Sequence, residues 1–191
     1  QILAALADKH FERVNSLDSN YKLALIGMLQ LDCLSGRSTR LAVFDELKDR
    51  LMGSKWIPLD RTVMHGISEM SNAGTICLDR KQMDELFSAA ISNKSTSVED
   101  RSVIYSDYAA YLWLGKKEYT AARDVLVRAT NENVNDMLNR LNLMQLYRLL
   151  GDREGVLNLL NDLKNRNLTG RDRRVFQSIR RELATEGVLA N

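Results

Sequence analysis

The chain has 191 residues, of which 45% are hydrophobic and 27% charged, with one proline and ten glycines. Its 27 basic and 25 acidic residues leave a net charge of +2, so no global field marks a nucleic-acid or membrane binder. Scarce proline and glycine exclude collagen-like and proline-rich disordered chains and disfavour an all-β fold, and apolar runs as short as Leu23 to Met28 cannot span a bilayer.

Apolar residues recur three and four apart nearly everywhere, which predicts helices. Leu3, Leu6, Ala7, Phe11 and Val14 make one helical face. Leu17-Asp18-Ser19-Asn20 supplies an N-cap for a second helix, running from Tyr21 through Leu25, Met28, Leu29 and Leu31. It stops near Ser35-Gly36, where glycine suits a left-handed C-cap position. Ser38 or Thr39 caps a third helix that buries Leu41, Phe44, Leu47 and Leu51. The segment Gly53 to Pro58 is the clearest break, and its proline suits the start of a helix built on Val63, Ile67 and Met70.

Ser71 to Leu78 reads as a loop of small residues, after which Asp79 caps a helix carrying Met83, Leu86, Phe87 and Ile91. Asn93 to Ser97 is a polar loop. Helices are then predicted near 98–115, 118–131, 134–150, 152–165 and 169–186. About ten helices with short links imply antiparallel hairpins stacked in series, an all-α fold in a single domain over 1–191.

A repeat of fixed period is visible. Gly115 and Gly151 lie 36 apart, and each ends a helix rich in tyrosine and leucine; Gly36 plays the same part near the front. Ala7, Phe11 and Val14, followed by Leu17-Asp18-Ser19-Asn20, have the spacing of a second repeat helix and its closing turn. Tyr119, Ala122, Leu126 and Ala129 have it too, preceded by Tyr108-Ala109-Ala110-Tyr111 across a turn about two residues too long. Leu143, Tyr147, Gly151 and Asp152 fit, while Val156 and Leu163 stand where small residues are expected. Segment 59–92 keeps the plan but inserts Gly74-Thr75-Ile76-Cys77.

On these residues the chain resembles a divergent tetratricopeptide-repeat array. The resemblance implies a short right-handed superhelix whose first helices line a concave, partner-binding groove. The run Trp56-Ile57-Pro58 to His65, with Asn72 to Leu78 and Leu86 to Ile91, is similar to the soluble repeat domains of bacterial multi-pass membrane glycosyltransferases and O-antigen polymerase-like proteins. That second likeness implies catalysis in a membrane part elsewhere in the parent protein, with this domain facing the periplasm. A first residue that is Gln1, and a first repeat lacking its leading helix, suggest a fragment of a longer protein.

Catalytic signatures are missing: there is no G-x-G-x-x-G, Walker A, G-x-S-x-G or H-E-x-x-H pattern. Gly53-Ser54-Lys55 reads as a turn, and His10 and His65 are too isolated for a metal site, His65 reading as a helix-packing residue. Glu46 with Arg50, and Asp45 and Asp49 around Lys48, read as solvated faces. No cofactor, metal or catalytic residue is expected of this chain, although the parent protein's activity stays open.

Function is therefore expected from surface. The aromatic cluster Tyr105, Tyr108, Tyr111, Trp113 and Tyr119 supplies interlocking residues or lines a groove. Tyr108, Tyr111, Asn139, Asn142 and Gln145 are the candidate groove residues for an extended peptide. Arg173, Arg174, Arg180 and Arg181 form a candidate basic patch on the last helix, opposite Val175, Phe176, Ile179 and Leu183. That face is either a solvated cap or an anionic contact, and it lacks the aromatics that would stack on RNA. Partner identity is open, as are an RNA-binding or enzymatic role and a cytoplasmic or periplasmic location. Cys33 and Cys77 lie on adjacent hairpin ends about 10 Å apart, beyond bridging reach unless the inserted loop folds inward, so two reduced thiols are expected. Asn93-Lys94-Ser95 and Asn167-Leu168-Thr169 match the glycosylation triplet by composition alone.

Overall fold

A computed structural model describes residues 6–7, 9–11, 13–14, 22–36, 40–53, 55–168 and 170–187. These residues form an all-α chain, without a strand among them. Past the helical residues between 6 and 14, the helices are α1 (Lys22–Ser35), α2 (Arg40–Gly53), α3 (Pro58–Asn72), α4 (Arg80–Ser92) and α5 (Val98–Ala110). A π-helical turn (Tyr111–Gly115) follows, then α6 (Tyr119–Glu132), α7 (Met137–Leu149), α8 (Arg153–Lys164) and α9 (Gly170–Thr185). The expected caps at Leu17 to Asn20 and at Ser38 or Thr39 lie outside the described residues.

Side-chain caps set most of the described starts. Asp79, Ser97, Asp136 and Asp152 each accept a hydrogen bond from the backbone N–H three residues on. Asp136 is why α7 begins at Met137 and not near residue 134, as the apolar periodicity suggested. At α3 the cap is tertiary. The Ile57 N–H donates to the Asp60 carboxylate at 2.9 Å, and Lys22 of α1 reaches the same carboxylate at 3.0 Å.

The helices stack in a regular order. Each of α1, α3, α5, α7 and α9 packs on the next in one layer, and α2 packs on α4 in a second layer. Polar ties across the first layer repeat with the chain: Lys22 to Asp60, Ser68 to the Asp107 carbonyl, Asn139 to the Ser102 carbonyl, Asn142 to Ser106 and Arg148 to Glu186 join residues 36 to 39 apart. A constant separation of that kind is what serial stacking of similar hairpins produces. The apolar core runs from Leu25 to Leu146. It continues at α7 into a second cluster of Leu141, Met144, Val156, Leu160, Leu163, Leu168, Phe176, Ile179 and Leu183. Val156 and Leu163, out of place in the repeat pattern, serve this cluster. Val175 does not join Phe176, Ile179 and Leu183 in it, since it remains exposed.

The second hairpin departs from the pattern for a visible reason. Ile76 and Leu78 of the inserted loop are buried among the core residues, so the segment folds inward. That fold carries Cys77 to Cys33, and the two form a disulfide with a Cα–Cα separation of 5.3 Å. The expectation of two reduced thiols is thereby corrected: it assumed hairpin ends at helix spacing, and the inward loop removes that gap.

The third hairpin explains its own long turn. In the π-helical stretch the Lys116 N–H bonds to the Tyr111 carbonyl at 3.1 Å, five residues back, and Lys117 adopts φ 62°. A Cβ on Gly115 would lie 2.1 Å from the Asn72 side-chain oxygen, so a larger residue there would require the exposed Asn72 side chain to turn aside.

Candidate functional site

The five candidate groove residues separate into three kinds. Tyr111 is fully buried, and its ring lies 6.3 Å from that of Phe87. Burial also pushes its hydroxyl above the ordinary tyrosine pKa. Asn139 is fully buried too. Its amide donates to the Ser102 carbonyl at 2.8 Å and to Asp136 at 2.5 Å, locking α7 to α5. Both belong to the packing of the stack and leave the groove set.

Tyr108 is half-buried and stacked on Phe87 at 4.5 Å, beneath the Arg80 guanidinium. Its hydroxyl donates to Asp84, while Arg80 also pairs with Asp84 and with Glu118 at 3.0 Å. This network clamps α4, α5 and the start of α6, and it commits the tyrosine hydroxyl internally. Burial raises the Tyr108 pKa, so the hydroxyl stays a donor.

Asn142 and Gln145 remain as partly exposed polar groups. Asn142 donates to Ser106 of α5 at 3.4 Å, and Gln145 accepts from Arg148 at 3.3 Å. Exposed Leu138 and Leu149 flank them at helical spacing on α7. On α3, Arg61 and His65 lie along the same layer of helices and reach Asp100 at 3.7 Å and Asp107 at 3.0 Å on α5. The structure thus gathers a strip of polar side chains over α3, α5 and α7 that the sequence reading saw only in part. The missed members, Arg61, Ser106 and His65, follow from the repeat separation of about 36 to 42 residues.

His65 is not the helix-packing residue expected, because its side chain is 59% exposed. The Asp107 carboxylate holds its pKa above the usual histidine value, and burial raises that of Asp107. A lone imidazole and carboxylate provide no metal site, and no group of three or more metal-ligating side chains gathers among the described residues.

Arg173, Arg174, Arg180 and Arg181 are all exposed on α9. Arg173 donates to the Leu168 carbonyl at 2.9 Å, and Arg180 lies over the Phe176 ring. Of the two glycosylation triplets, Asn93-Lys94-Ser95 is structural: Asn93 is buried, its amide donates to the Leu51 carbonyl at 2.7 Å, and its oxygen accepts from Ser95. No described helix is long and apolar enough to cross a membrane. No protein-family model, curated protein or solved structure matches the chain.

Proposed function

We propose that the chain is a non-catalytic scaffold for a protein or peptide partner, built from hairpins of the tetratricopeptide type and acting within a larger protein. The single observation that supports this reading most is the continuous layer α1, α3, α5, α7 and α9. Its repeated polar ties leave a strip of side chains open across several helices. In a right-handed superhelix of such hairpins that layer is the concave side, where an extended peptide meets polar groups from successive repeats. Asn142, Gln145 and Ser106 are the residues placed to hydrogen-bond it, with Leu138 and Leu149 as apolar edges.

The test is peptide selection from a random display library, followed by calorimetric titration of the selected peptide. Asn142→Arg with Gln145→Arg should weaken that peptide at least about tenfold, since two long side chains would block a shared face. Unchanged affinity would remove this strip from the proposal.

A second reading has one observation in its favour. A disulfide is at home in an oxidising compartment, so Cys33–Cys77 supports a periplasmic domain attached to a bacterial membrane glycosyltransferase, positioning substrate or partner. Reading the parent coding frame tests it: upstream membrane-spanning segments support it, and a frame without them refutes it.

A further inference from the structure

We infer that the outer face of α9 is a docking site for an acidic protein segment, one whose carboxylates pair with Arg173, Arg174, Arg180 and Arg181. The inference rests on the scaffold reading and names the chemistry of a partner at a second place on it.

Three observations carry it. The first is where the nearby acids go. Glu182 and Glu186 would be expected to neutralise the arginines of their own helix, but both turn to Arg148 of α7. The Arg148 guanidinium takes both Glu186 oxygens at 3.0 Å and binds Glu182 as well. Asp172 sits half-buried in the first turn, where the helix dipole favours a carboxylate. Among the described residues, no ion pair involves the four arginines, whose contacts are a backbone carbonyl for Arg173 and Arg181 and the Phe176 ring for Arg180.

The second is spacing. Arg173 and Arg174 precede Arg180 and Arg181 by seven residues, two helical turns, so the two pairs leave the helix about 10 Å apart along its axis on the same side. Gln177 lies between them, and Ala184 keeps the far end low. Gln177, Arg180, Arg181 and Ala184 together form one open, exposed surface of α9. Paired guanidiniums suit bidentate recognition of carboxylates.

The third is what the face lacks. Phe176, Ile179 and Leu183 are already buried against α7 and α8, leaving α9 no apolar stripe to insert into a lipid surface. Its outer face presents no aromatic ring for base stacking. An acidic protein segment is the occupant that uses both the charges and their spacing.

The experiment is a titration of the full chain with a fluorescein-labelled twelve-residue Glu/Ala peptide at low salt. The Gln/Ala peptide, phosphatidylserine vesicles and an oligothymidylate serve as comparison probes. The acidic peptide should bind, weaken several-fold as salt rises from about 50 to 200 mM, and outcompete the other probes. Changing Arg173, Arg174, Arg180 and Arg181 to Gln should weaken it at least about tenfold with the helical signal intact. Changing the exposed Lys9, Lys55, Lys81 and Lys94 to Gln should leave it within about twofold. An equal loss in both variants would mean charge without a site, and would overturn the inference. Tighter binding to vesicles or oligothymidylate would overturn it as well. A wild type that ignores the acidic peptide but binds the library-selected peptide refutes α9 docking alone; one that binds neither refutes the scaffold reading too.

Discussion

Gly155 lies under the Tyr147 ring, where a Cβ would meet ring carbons at 2.8 and 2.9 Å and the Asp152 carboxylate at 2.8 Å. The ring and the N-cap of α8 are thus fitted around a missing side chain. Gly155→Val should destabilise the chain by about 1–3 kcal/mol through forced overpacking, read from the urea midpoint. An unchanged midpoint would show that the ring moves freely. The repeat pattern placed the small residue one position later, at Val156, because spacing alone does not reveal where a ring lands. The burial of Tyr111 and Asn139 is hidden from the sequence for a related reason: a polar atom on an amphipathic helix reads the same whether it meets solvent or the interior.

His65 carries a pH dependence at the same scale. Its folded pKa is raised, chiefly by the hydrogen bond to Asp107, so its contribution to stability is fully present below the unfolded value near 6.5. That contribution is lost as pH rises through the folded value. Asp107 is also raised, by burial, and its effect has the same sign at lower pH. Stability should therefore fall as pH rises above the unfolded histidine value, and His65→Gln should flatten that slope in denaturant titrations. A slope of the same size in the variant would assign it elsewhere.

At the scale of elements, the informative places are those where hairpins differ. The helices from residue 98 onward were legible because apolar residues recur three and four apart in them and their links are short. The second hairpin was not, since Ile76 and Leu78 sit in a loop otherwise made of small residues, and only their burial shows the loop turning inward. The disulfide depends on that turn. It ties residues 44 apart, so replacing Cys33 and Cys77 by Ala should cost about 2–4 kcal/mol, mainly through a less constrained unfolded chain. Intact protein should weigh two hydrogens less than its reduced form. Alkylation of both cysteines without reductant would contradict the bond. The π-helical turn at Tyr111–Gly115 was visible in sequence only as a turn two residues too long.

The whole molecule is a row of helices in which most contacts are between neighbours or next-but-one neighbours. Far-UV circular dichroism should be strongly helical with negligible sheet, and thermal unfolding should be broader than that of a compact bundle. A sharp transition with equal calorimetric and van't Hoff enthalpies would argue for one cooperative unit instead. Helical class and serial order were readable from periodicity and glycine spacing. The strip proposed for partner binding was read only in part, because which faces stay open is decided by packing between repeats.

We propose that partner binding resides on the layer formed by α1, α3, α5, α7 and α9. Hydrogen–deuterium exchange of the full chain with its library-selected peptide tests it most directly. Exchange should slow along α5 and α7, extending to their neighbours in that layer. Protection confined to α2, α4, α6 and α8, or spread over no particular layer, would contradict it.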